Sequence, residues 1–102
     1  IVTAPNIEEG KKIARKLIEE KLAACVNIIS NVKSIYVWKN KICEDNECML
    51  FIKTTKKNVK KVISETKLMH SYEVPEIISL PIEDGLKEYL EWVKKSVNKE
   101  FR

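Results

Sequence analysis

His70 is the only histidine in the chain. It lies in the stretch Met69-His70-Ser71-Tyr72-Glu73-Val74-Pro75-Glu76, which also holds a phenol and two carboxylates. An imidazole beside carboxylates suits two kinds of chemistry. It can hold a divalent cation, since copper(II) takes imidazole and oxygen donors, or it can move protons near neutral pH. The spacing limits both. Glu73 and Glu76 flank Val74-Pro75 in extended chain, where an odd separation sends side chains to opposite faces. They therefore make a poor acid–base pair and a poor chelate. His70 with Glu73 supplies too few donors for a tight metal site unless subunits contribute jointly. A structural alternative stands beside this one: His70 closes a helix, where an imidazolium complements the C-terminal dipole or makes an interface hydrogen bond.

The other reactive groups are Cys25, Cys43 and Cys48. An odd, sparse set of thiols behind an N-terminus without a basic leader reads as a reduced, cytoplasmic protein. Cys25 lies in an apolar strand and reads as a small buried hydrophobe. Cys43 and Cys48, an odd number of residues apart on one strand, face opposite ways and share no metal unless a bulge intervenes. No Cys-x-x-Cys or His-x-x-x-His spacing supports a structural zinc site. No Ser or Cys has an assignable histidine partner, so catalysis is not expected.

These residues need elements to position them. The chain of 102 residues, 44% hydrophobic and 33% charged, suits one domain spanning 1–102. No apolar run approaches the roughly 18 residues that span a bilayer. Ile1–Ala4 reads as a strand stopped by Pro5. Asn6 follows as a helix N-cap, with Glu9 placed for a capping box. Ile13, Ala14, Leu17, Ile18 and Leu22 then trace one helical stripe. From Ala24 to Trp38 the residues are β-branched and aromatic, with Ser30-Asn31 as a bend or bulge. Lys39-Asn40-Lys41 turns the chain into a second long strand, Ile42 to Thr54. Its apolar run from Cys48 to Ile52 reads as a central strand buried on both faces. Val59, Val62, Ile63 and Thr66 mark a second helix. Val74–Ile82 reads as a fourth strand bounded by Pro75 and Pro81, and Leu86 to Val97 as a third helix.

The order β-α-β-β-α-β-α is α+β: a ferredoxin-like, split βαβ arrangement with an extra C-terminal helix. One feature exceeds that frame. Ala24 to Trp38 extends roughly 50 Å if straight, whereas a domain of this size is about 30 to 35 Å across. The outer hairpin, with Tyr36 and Trp38, therefore reads as an oligomerisation arm. Tyr72 and Glu76, in the turn after the second helix, read as further interface residues.

The pieces "TAPN", "ARKLIEEKLAACVNII", "SIYVWKNKICED", "FIKTT", "MHSYEVPEIISLPIEDG" and "YLEWV" resemble the CutA family of divalent-cation tolerance proteins over nearly the whole chain. The resemblance implies a homotrimer of PII type, with long hairpins pairing across subunits. It also implies tolerance of copper or another divalent cation, with no cofactor needed for folding. Carried over, the metal candidates are His70, Cys25 and Glu73. Some bacterial members have a cysteine before "TAP" and a second histidine before the motif histidine; Val2 and Met69 stand there in this chain.

Other uses of the same topology fit less well. An RNA-recognition sheet needs stacking aromatics, and the third strand offers only Phe51. Lys56, Lys57, Lys60 and Lys61 form a basic helix face that is most simply solvated. Neither this patch nor the mild net charge of +4 calls for nucleic acid or a membrane. The expected function is metal tolerance through binding or PII-like signalling. A small-molecule sensor or an assembly scaffold, with metal incidental, is the alternative.

Overall fold

A computed structural model describes residues 1–97, so 98–102 of the expected domain lie outside the described residues. Strand β1 (Val2–Ala4) leads through Pro5 into helix α1 (Ile7–Glu19). Asn6 caps it, its Oδ1 accepting the Glu9 N–H at 2.8 Å. Ile13, Ala14 and Leu17 turn inward, whereas Ile18 is left 41% exposed. Strands β2 (Cys25–Trp38) and β3 (Lys41–Lys53) form one long hairpin. Lys39 and Asn40 both take positive φ, the two-residue turn that matches strand twist. A register shift between Ile29 and Val32, with Asn31 at φ 60°, makes Ser30-Asn31 a bulge. A short 3-10 turn (Lys56–Asn58) precedes α2 (Val59–Met69), and α3 (Lys87–Ser96) is the last described element.

All strand pairs are antiparallel, in the order β1-β3-β2. This is the ferredoxin-like order without a full fourth strand. Where the sequence suggests Val74–Ile82, only Ile77 bridges to Val2, and the Ile78 N–H donates to Ile1 O at 3.0 Å. The reason is local. Proline has no N–H to donate, so Pro75 and Pro81 confine pairing to the middle of the segment, and β1 offers just three residues. Val74 and Leu80 are consequently 67% exposed each.

The core is one-sided. Val2, Ala4, Leu17, Leu22, Cys48 and Leu50 pack together under α1, with Val62 joining from α2. Neighbours along β3 alternate: Leu50 is buried, but Phe51 points to the other face, 38% exposed. The expectation of burial on both faces fails within one subunit, because the helices cover a single side of the sheet. Gly10 lets α1 approach closely, since a Cβ there would lie 2.9 Å from Cys48 Sγ. The outer hairpin does not fold back; it sets a long axis of 47 Å against 26 and 21 Å. Among the described residues, no helix is long and apolar enough to cross a membrane.

Candidate functional site

Helix α2 stops at Met69, and His70 leaves it with extended backbone. That exit swings the imidazole beneath β1 and α1, where the side chain is shut off from solvent. Its Nε2 lies 2.7 Å from Thr3 O. A carbonyl only accepts, so the proton sits on Nε2 and Nδ1 keeps a lone pair. The Tyr72 N–H donates to that lone pair at 3.1 Å. Glu9 Oε2, 3.4 Å from Nδ1, accepts both the Ser71 N–H and the Ser71 hydroxyl at 3.0 Å.

The network continues outward. Tyr72 packs tilted on the imidazole, ring centroids 4.8 Å apart, and its hydroxyl donates to Glu47 Oε2 at 2.8 Å. Burial pushes the Tyr72 phenol well above its usual range, and the Glu47 bond adds to the effect. Further along the hairpin the Tyr36 hydroxyl donates to Asp45. That bond is the main cause of the Tyr36 phenol being pushed up to about 12.

The predicted metal candidates are placed apart. Cys25 begins β2 opposite Lys53, its half-buried thiol 3.9 Å from Asn27 Oδ1. Glu73 is exposed, and the contact at that residue is made by its carbonyl, which accepts Lys67 Nζ at 3.0 Å. Among the described residues, no three His, Cys, Asp or Glu side chains gather as a metal cage within the subunit. Both His70 nitrogens face protein partners. Of the expected interface residues, Tyr36 and Trp38 are 40% exposed on the arm, Glu76 is exposed, and Tyr72 is half-buried against His70.

Three participants escape a reading of the sequence. Glu9 looks like the second half of a capping box but reaches the His70-Ser71 turn instead. Thr3 contributes only its carbonyl, which has no side-chain signature. Glu47 sits in an acidic run and gives no sign that it alone is buried.

The sheet order, the helices on one face and the overlong hairpin define an α+β protein of ferredoxin-like, PII-like type. A family model described as the CutA1 divalent ion tolerance protein matches residues 1–96, and the chain belongs to that family. The Thermus thermophilus divalent-cation tolerance protein CutA is 44% identical over 94% of this chain and 93% of its own length. Its solved structure superposes with a TM-score of 0.91, covering 93% of this chain and 92% of that one. A PII-like protein CutA from Nostoc, solved in apo form, is 33% identical with a TM-score of 0.88, over 95% of this chain and 93% of that one. The chloroplastic CutA protein of Arabidopsis thaliana is 46% identical over 93% of this chain. The chain spans about half the length (52%) of that relative.

Proposed function

We propose that the chain forms a cytoplasmic homotrimer serving divalent-metal tolerance as a non-catalytic, PII-like protein, with copper or another divalent cation held or sensed where subunits meet. One observation carries this reading: the outer hairpin leaves Ile35, Val37 and Ile42 at least 69% exposed on an arm with unpaired edges. Such a surface wants another chain. The bare sheet face around Ile29 and Phe51 and the unpaired segment around Leu80 ask for the same cover. His70, Cys25 and Glu73 do not form a cage within one subunit, so metal held there needs donors from a neighbour. The cytoplasmic assignment rests on the chain's three free thiols. The full hydrogen bonding of His70 favours a second reading, a sensor of a small anion with metal incidental.

Sedimentation at micromolar concentration tests the assembly, with an expected species of about three times the 11.9 kDa chain mass. Trp38→Glu should dissociate it, because a charge would be buried without a partner. A stable parental monomer overturns the proposal. Copper and ATP, titrated side by side into the trimer, separate the two readings. Saturable copper uptake supports the first; ATP uptake without copper uptake supports the second. EDTA should leave the melting temperature unchanged.

A further inference from the structure

The outer hairpin carries an apolar face that its own subunit leaves bare. Register pairs Ile35 with Glu44 and Val37 with Ile42, so these four side chains share one face. Counted along β3, that face is the one that Cys48 and Leu50 turn to the core under α1. The helices stop short of the arm, and Ile35, Val37 and Ile42 are left 69 to 77% exposed. Glu44 is exposed beside them, and no basic side chain among the described residues pairs with it. Lys33 shares this face nearer the root of the arm, opposite Asn46, whereas Lys41 sits with Trp38 on the other face. The edges are free as well: β2 is the outer strand of the sheet, and β1 covers β3 only from Cys48 to Leu50.

The other end of the molecule has the matching surface. A groove of about 800 Å³ opens there between α2, α3 and the segment 77–82. Val62 and Val93 are buried within it, Leu90 is half-buried, and Ile63, Leu80 and Ile82 stay partly exposed along its sides. Lys56 and Lys94 also line it, and no carboxylate among the described residues pairs with either. Segment 77–82 bonds β1 only around Ile77 and Ile78, so it has backbone groups left to pair. The arm is thus a sheet face in want of helices and an acid in want of a base. The groove offers helices with apolar surface to spare, two bases and a free strand edge.

We infer that the groove is the seat of a second copy's hairpin, with Ile35, Val37 and Ile42 against its apolar walls and Glu44 on Lys56 and Lys94. Segment 77–82 then bonds along an edge of the incoming arm, as an open strand edge invites. A subunit does not fill its own groove, because its arm runs the opposite way along a molecule 47 Å long. The contact joins two different patches, so it is heterologous and closes as a ring, of which a trimer is the smallest. This docking rests on the trimeric reading above and adds to it the place where each arm lands. Apolar burial supplies its strength, and the Glu44 pairs fix its register, since like charges brought together there oppose assembly.

The test joins carboxylates to touching lysines with a carbodiimide, in protein assembled from mixed heavy-isotope-labelled and unlabelled chains. Peptides that link Glu44 of one chain to Lys56 or Lys94 of another are expected, and their mixed labels mark them as inter-chain. Sedimentation supplies the second measurement, with circular dichroism confirming that each variant is folded. Glu44→Lys should raise the concentration at which the assembly dissociates by about tenfold or more, and Lys56→Glu/Lys94→Glu should do the same. The triple variant, with the charges exchanged, should return to within about threefold of the parent. A parental monomer removes the trimeric reading and this docking with it. A parental trimer refutes the docking alone if Glu44 links between chains only to other lysines, or if both charge variants assemble like the parent.

Discussion

Replacing His70 with alanine should destabilise the fold, and the structure sets the size of the effect. The ring satisfies two backbone groups at once, accepting the Tyr72 N–H and donating to Thr3 O. Without it the Thr3 carbonyl is left buried and unpaired, at about 1 to 3 kcal/mol, and the Tyr72 amide adds to that where water cannot reach it. The combined loss is about 2 to 4 kcal/mol, moderated by water entering beside the half-buried Tyr72. At about 4 to 8 °C per kcal/mol for a chain of this length, the melting temperature should fall by about 8 to 32 °C. His70→Gln, able to donate to Thr3 O but poorly placed to accept from Tyr72, should lose about half as much. Melts followed by circular dichroism at matched protein concentration provide the measurement, since assembly links stability to concentration. If both variants melt within about 2 °C of the parent, the hydrogen bonds assigned to His70 contribute little and the reasoning fails. The same variants report on metal. Copper uptake that survives in folded His70→Ala would place the metal elsewhere and leave His70 structural.

Thr66 is fully buried in α2, and its hydroxyl has no partner among the described residues. Thr66→Val should therefore stabilise by about 1 kcal/mol, read as a rise in melting temperature; a fall would mean the hydroxyl is bonded. Cys48 is 1% exposed, and burial pushes its thiol upward. Under native conditions it should be the last thiol to react with DTNB, and labelling as fast as Cys25 and Cys43 would contradict its packing against Gly10. Tyr36 holds its proton up to about pH 12 through Asp45, so this stabilisation is complete below pH 10 and lost as pH rises through about 12. Asp45→Asn should bring its ionisation to lower pH in a 295 nm absorbance titration. Superimposable curves would refute the bond.

Local pattern accounts for much of this protein. The shift of hydrophobic period between strand and helix separates the elements, because each residue's neighbours at i+2 or i+4 decide which face it shows the core. The Asn6 cap, the Lys39-Asn40 turn, the bulge at Ser30-Asn31 and the burial of Cys48 follow from such short-range rules. So does the hairpin's overreach, which is a matter of residue count and rise. Tertiary packing decided the rest. Glu9 meets Ser71 across 62 residues and His70 meets Thr3 across 67. Nothing within a helical turn of either residue encodes those meetings. Packing also reduced the expected fourth strand to a bridge at Ile77, since proline removed the donors and β1 offered too short an edge. It left Phe51 on an open face, because one layer of helices covers one side of a sheet. Finally, it gathered no cage of three His, Cys, Asp or Glu side chains among the described residues. A side chain's chemical type is written in the sequence; the company it keeps depends on where distant segments place it.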